Sequence, residues 1–76
     1  MFDQKIFSDR LKKLRLEKGI SQNALGDKLG MSGQAISDME RCRRMTTTEN
    51  IYLLAEVLET TADYLLGLSD VCERSG

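Results

Sequence analysis

Seventy-six residues with a net charge of −1, 41% hydrophobic residues and no Pro, Trp or His make one small domain. Two cysteines without a histidine exclude a zinc site of ordinary spacing, and the longest apolar runs are too short to span a membrane. Cys42 and Cys72 are expected to be reduced thiols of a cytoplasmic protein; a disulfide is the alternative. The opening Met1-Phe2-Asp3-Gln4-Lys5 leads into a charged amphipathic stretch, so no secretion signal is expected.

Leu, Ile, Met and Ala dominate the apolar set, which favours helix over sheet. The spacing predicts an all-α chain of five helices. Helix 1 runs from Gln4 or Lys5 to Lys18 on the stripe Phe7, Leu11, Leu14 and Lys18, and Gly19 ends it. Ser21 caps helix 2, whose core pair is Leu25 and Leu29; Gly30-Met31 is the turn. Ser32 caps helix 3, which turns Ile36 and Met39 inward. Arg41–Thr48 is a basic connection. Helix 4 starts near Thr47 or Thr48 and buries Ile51, Leu54, Ala55 and Leu58. Thr60 or Thr61 caps a short helix 5, Ala62–Leu66, which Gly67 ends. The domain core spans about residues 5–68, and Ser69–Gly76 are expected to fray. The apolar residues left over, Leu53, Val57, Tyr64 and Leu68, either pack helix 4 on helix 5 or form a homodimer interface; the dimer is the expectation.

Two charges break the polar-out pattern. At 100° per residue Arg15 lies about 40° from Leu11, and Glu40 lies about 40° from Ile36. Lone charges on apolar faces are costly, whereas two of opposite sign can satisfy each other. An Arg15–Glu40 ion pair between helices 1 and 3 is therefore expected.

The charge is also segregated. Residues 1–44 hold ten Lys and Arg against six Asp and Glu, a net of +4, and residues 45–76 hold one against six, a net of −5. A molecule polarised in this way suits one face toward phosphate and one face away. Ser21–Glu40 encodes two short helices and a tight turn, the second helix carrying a polar edge of Gln34, Ser37, Asp38 and Arg41. Such a pair fits a DNA major groove, where side chains reach base edges. Nothing points to an enzyme. There is no phosphate-binding loop of the P-loop kind, no nucleophile with a base partner, and little room for a cleft. No cofactor, metal or small-molecule ligand is implied.

Arg10–Gly67 resembles the Cro/cI-type helix-turn-helix family of phage repressors and bacterial regulators. The resemblance is carried by L-x-x-L-R-x-x-K-G-I-S-Q, L-G-D-K-L-G, M-S-G-Q-A-I-S-D-M-E and I-Y-L-L-A-E-V-L-E-T-T-A-D-Y-L-L-G in that order. It implies a five-helix bundle that binds double-stranded operator DNA as a two-fold dimer, as a repressor of transcription. By position it implies that Ser21 and Gln22 hold a phosphate, and that Gln34 reads a base with Ser32, Ser37 and Asp38 beside it. Arg41, Arg43 and Arg44 would contact backbone phosphates, and Arg15 with Glu40 would be an internal pair. Gly33 departs from the pattern where a groove-facing side chain is usual. Asp38 is an acid on that edge. Gly26 stands for a usual Ala, a propensity cost of about 1 kcal/mol. Cys42, expected to be a small packing residue, stands where Gly is common, and the Pro common near Thr46 is absent. The alternative is an interaction module, an anti-repressor or antitoxin, that keeps the fold and has lost DNA recognition. A chain of this length can be a stand-alone regulator.

Overall fold

Short polar side chains start the helices in the computed structural model, which describes residues 2–72. Five helices follow in order: α1 (Gln4–Glu17), α2 (Gln22–Leu29), α3 (Gly33–Glu40), α4 (Thr48–Val57) and α5 (Ala62–Leu66). Asp3 caps α1, its carboxylate accepting from the Lys5 N–H at 2.9 Å. Ser21, Ser32, Thr47 and Thr61 cap the other four in the same way. Each cap satisfies a backbone donor that the first turn leaves free, worth about 1 kcal/mol. At the other ends Gly30 and Gly67 adopt φ of 68° and 82°, the left-handed geometry that stops a helix without a Cβ clash.

Helices of five to ten residues are not stable alone in water, and four of the five are in that class. They are held by a shared core. Phe7, Leu11 and Leu14 of α1 meet Leu25 and Leu29 of α2, Ile36 and Met39 of α3, and Ile51, Leu54 and Ala55 of α4; Leu58, Tyr64 and Leu65 complete it. Burying each Leu, Ile or Phe contributes about 1.5–3 kcal/mol, more than any local propensity. α1 rests on α3 and α5, α4 on α2 and α5, and the most extensive contact is α2 on α3. Ser8, wholly buried, donates from Oγ to the Met39 carbonyl at 2.5 Å and fixes the middle of α1 against the end of α3.

Three expectations change. Gly26 is buried, and a Cβ there would sit 2.6 Å from the Met31 carbonyl oxygen and 3.0 Å from the Ser32 carbonyl. It is the close approach of α2 to the turn into α3, more than a propensity cost, that glycine serves. Tyr64 is only 7% exposed and belongs to the core, so it leaves the surface patch; Leu53 and Val57 are half-buried against the core and Leu68 is 77% exposed. Cys42 is exposed with φ of 62°, so it is not a packing residue. That left-handed φ is the physical reason glycine suits the position. Both cysteines are free thiols.

Ser69–Cys72 are tied back to the bundle by side chains of α1 and of the α4–α5 connection. Arg10 lies over the Tyr64 ring, 4.1 Å from its centroid, and donates to the Tyr64 and Ser69 carbonyls at 2.5 and 2.8 Å. It also pairs with Asp70 at 3.0 Å. Thr60, wholly buried, donates to the Cys72 carbonyl at 2.8 Å, while Thr61 is the cap. The expectation for 73–76 lies outside the described residues.

Gly26→Ala is expected to destabilise the protein by about 1–3 kcal/mol in urea unfolding, because overpacking against backbone outweighs a helix-propensity gain of about 1 kcal/mol. Arg10→Ala is expected to speed hydrogen exchange at the amides of residues 68–72 at least tenfold while those of α3 stay protected.

Candidate nucleic-acid interface

The turn between α2 and α3 sets the outer side of α3. Gly30 ends α2 in the left-handed region, the Met31 N–H donates to the Gly26 carbonyl at 2.8 Å, and the Ser32 hydroxyl accepts from the Ala35 N–H at 3.1 Å. Three residues therefore reverse the chain, and α3 lies against α2 with Ala35, Ile36 and Met39 buried. Ser32, Gln34 and Arg41 are left exposed, and Asp38 is half-buried.

Ser37 departs from expectation. It is 7% exposed and does not belong to the open edge. One residue on from Ile36, it is turned about 100° from the centre of the buried face, and α3 is covered over a wider arc than its apolar pattern implies. Gly33 has a packing reason of its own. A Cβ there would lie 1.8 Å from Asn23 Oδ1 and 3.2 Å from the Asn23 Cα, so the Asn23 side chain of α2 fills the space in front of α3's first turn.

The inner end of α3 is fixed by charge. Arg15 donates from Nε to Glu40 Oε2 at 2.5 Å and from Nη2 to Glu40 Oε1 at 3.0 Å, and its Nη1 donates to the Ile20 carbonyl at 2.8 Å. The two side chains are 9% and 3% exposed. The expected pair is thus formed, buried and bidentate. The Glu40 hydrogen bonds hold the Arg15 guanidinium above its ordinary pKa against the opposing effect of burial, so it stays charged throughout the pH range of a folded protein. Gln22 joins the pair, its Nε2 donating to Glu40 Oε1 at 3.1 Å.

Outside this pair lies a cleft of about 420 Å³ lined by Lys12, Arg15, Ser21, Gln22, Glu40 and Arg41. It brings the N-terminus of α2 beside two exposed cations, Lys12 and Arg41. Backbone N–H groups at a helix start together with cations form a place for an anion. Ser21 serves there as the α2 cap, accepting from the Ala24 N–H at 3.0 Å. Arg43 and Arg44 are exposed in the segment after α3. Lys12 was missed in the sequence; its signal is that it stands three residues before Arg15 on α1, on an adjoining face. Of the expected site residues, Ser21, Gln22, Ser32, Gln34, Asp38, Arg41, Arg43 and Arg44 lie on or beside the α2–α3 unit with their polar groups at or near the surface, and Ser37 does not.

A two-helix unit of this construction within a five-helix bundle is matched by the helix-turn-helix family, whose profile covers residues 11–65. This chain belongs to the helix-turn-helix family. It is 36% identical over 61 residues to the repressor protein C2 of Salmonella phage P22, a match covering 80% of this chain and 28% of that protein. It is 30% identical over 66 residues to the HTH-type transcriptional regulator ImmR of Bacillus subtilis, covering 87% of this chain and 52% of that one. The chain thus spans between about a quarter and a half of these relatives. Among solved structures, the P22 c2 repressor in complex with a synthetic operator superposes with a TM-score of 0.77 at 36% identity, over 80% of this chain and 92% of that chain. The helix-turn-helix family is one of DNA-binding transcriptional regulators and not of enzymes. Its all-α fold is the one observed here.

Arg15→Ala leaves Glu40 buried without its partner. It is expected to cost about 3–5 kcal/mol in chemical denaturation, and an unchanged midpoint would count against the pair as the brace of α3.

Proposed function

We propose that this chain is a cytoplasmic transcriptional repressor that binds an inverted-repeat operator as a homodimer, each α3 entering a major groove. One observation carries the proposal. The polar side of α3, with Ser32, Gln34 and Arg41 exposed and Asp38 half-buried, is held by the α2 packing and by the buried Arg15–Glu40 pair. A reading helix has to be fixed in this way, because base contacts are made only if orientation is set before contact.

In this reading Gln34 recognises a base edge, with Ser32 and Asp38 beside it. Ser21 and Gln22 meet a phosphate at the start of α2, where free N–H groups point outward and the Gln22 amide keeps a second N–H beyond the one given to Glu40. Arg41, Arg43, Arg44 and Lys12 supply cations to the backbone on either side. The P22 repressor's complex with an operator, at 36% identity, supports the assignment. Dimerisation would draw on the exposed Leu68 and the half-buried Leu53 and Val57, and not on the buried Tyr64. Two copies would place their α3 helices about 34 Å apart, one turn of DNA.

Sequences selected from a random DNA pool at low salt should converge on an inverted repeat; no enrichment would sink the proposal. The triple variant Arg41→Ala/Arg43→Ala/Arg44→Ala should weaken binding to all sequences alike and flatten the log–log salt dependence by about 0.9 for each phosphate that an arginine no longer neutralises. Unchanged DNA binding with loss of a protein partner would favour an interaction module.

A further inference from the structure

The one side chain on α3's outer edge whose amide is already engaged is Gln34. Its Nε2 donates to Asp38 Oδ1 at 3.0 Å, one turn along the helix. Among the described residues no cation forms an ion pair with Asp38. The acid on this edge therefore faces an amide and not an arginine.

We propose that Asp38 is a positioning residue that sets which base Gln34 accepts, selecting adenine over guanine. The inference rests on the reading of α3 as the helix that enters the groove.

A glutamine amide offers two N–H donors and one carbonyl acceptor. Adenine presents an acceptor, N7, beside a donor, the N6 amino group; guanine presents two acceptors, N7 and O6. A free amide can turn to suit either base, giving one donor and one acceptor to adenine or both donors to guanine. Asp38 removes that choice. One N–H is committed to its carboxylate, which leaves one donor and Oε1 for the base, and that set matches adenine. Turning the amide over would put Oε1 against the carboxylate, two acceptors facing each other. The Asp38 charge also repels the paired acceptors of guanine. Once the helix excludes water from the groove, each of these effects strengthens.

The test is a selection of bound sequences from a random pool with the parent chain, Asp38→Ala, Asp38→Asn and Gln34→Ala, each checked for an unchanged melting temperature. The parent should fix adenine at one position of each half-site, and Gln34→Ala should lose it. Asp38→Ala should admit guanine at that same position, cutting the adenine-to-guanine ratio about tenfold. Asp38→Asn, which keeps an acceptor oxygen toward Gln34, should retain adenine. The inference is overturned if Asp38→Ala keeps the full adenine preference. It is equally overturned if Asp38→Ala changes only a neighbouring position, the mark of a direct contact to cytosine, or if Asp38→Asn behaves as Asp38→Ala does. A Gln34→Ala chain with every base preference intact removes the reading of α3 itself, and the role of Asp38 with it.

Discussion

The outer edge of α3 is aimed from within by one buried bidentate ion pair, Arg15 with Glu40. It ties the longest helix to the end of one of the shortest, 25 residues away in sequence. An arginine is suited to this in a way a lysine is not. Its planar fork meets both carboxylate oxygens at once and still has a donor for the Ile20 carbonyl. A carboxylate with two partners in a fixed plane constrains rotation as well as distance. Eight residues of helix have little stability of their own, so the orientation of α3 is inherited from α1 through this pair, from Ser8 on the Met39 carbonyl, and from the Gly26 approach on the other side.

The bundle was largely legible in the sequence because its signals are local. Caps announce themselves as Ser or Thr before an apolar period, and the stripes of α1 and α4 name their own buried residues. Arg15 and Glu40 were legible for a related reason, since a charge at a core angle demands a partner. The misreadings occur where local pattern carries no information. A five-residue helix makes too few turns for periodicity to separate an inward Tyr64 from an outward one. Ser37 is small enough to be covered without disturbing the pattern around it. The hold on Ser69–Cys72 comes from Arg10 and Thr60, which lie up to 60 residues away in sequence and give no periodic signal. Cys42 was misjudged because burial was inferred from residue type, when its backbone angle governs the position.

The charge segregation gains meaning in three dimensions. Arg41, Arg43, Arg44 and Lys12 are exposed around α3 and the start of α2, while Glu49, Glu56, Glu59 and Asp63 are exposed on α4, α5 and the segment between them. A molecule close to neutral overall nevertheless has a direction. Approaching a polyanion, its field turns the α2–α3 side inward and the α4–α5 side outward before any contact is made. Net charge alone hides this, because the two ends nearly cancel.

The Asn23 carboxamide in front of Gly33 links two positions that a reading of α3 by itself would treat as independent. A side chain can be added to the first turn of α3 only if Asn23 is shortened or swings away. A change at position 33 is therefore felt first at Asn23, an exposed side chain whose far end lies in the way. A larger residue at position 33 and a shorter one at position 23 would complement each other across the two helices. The two helices would then evolve their surface as one element.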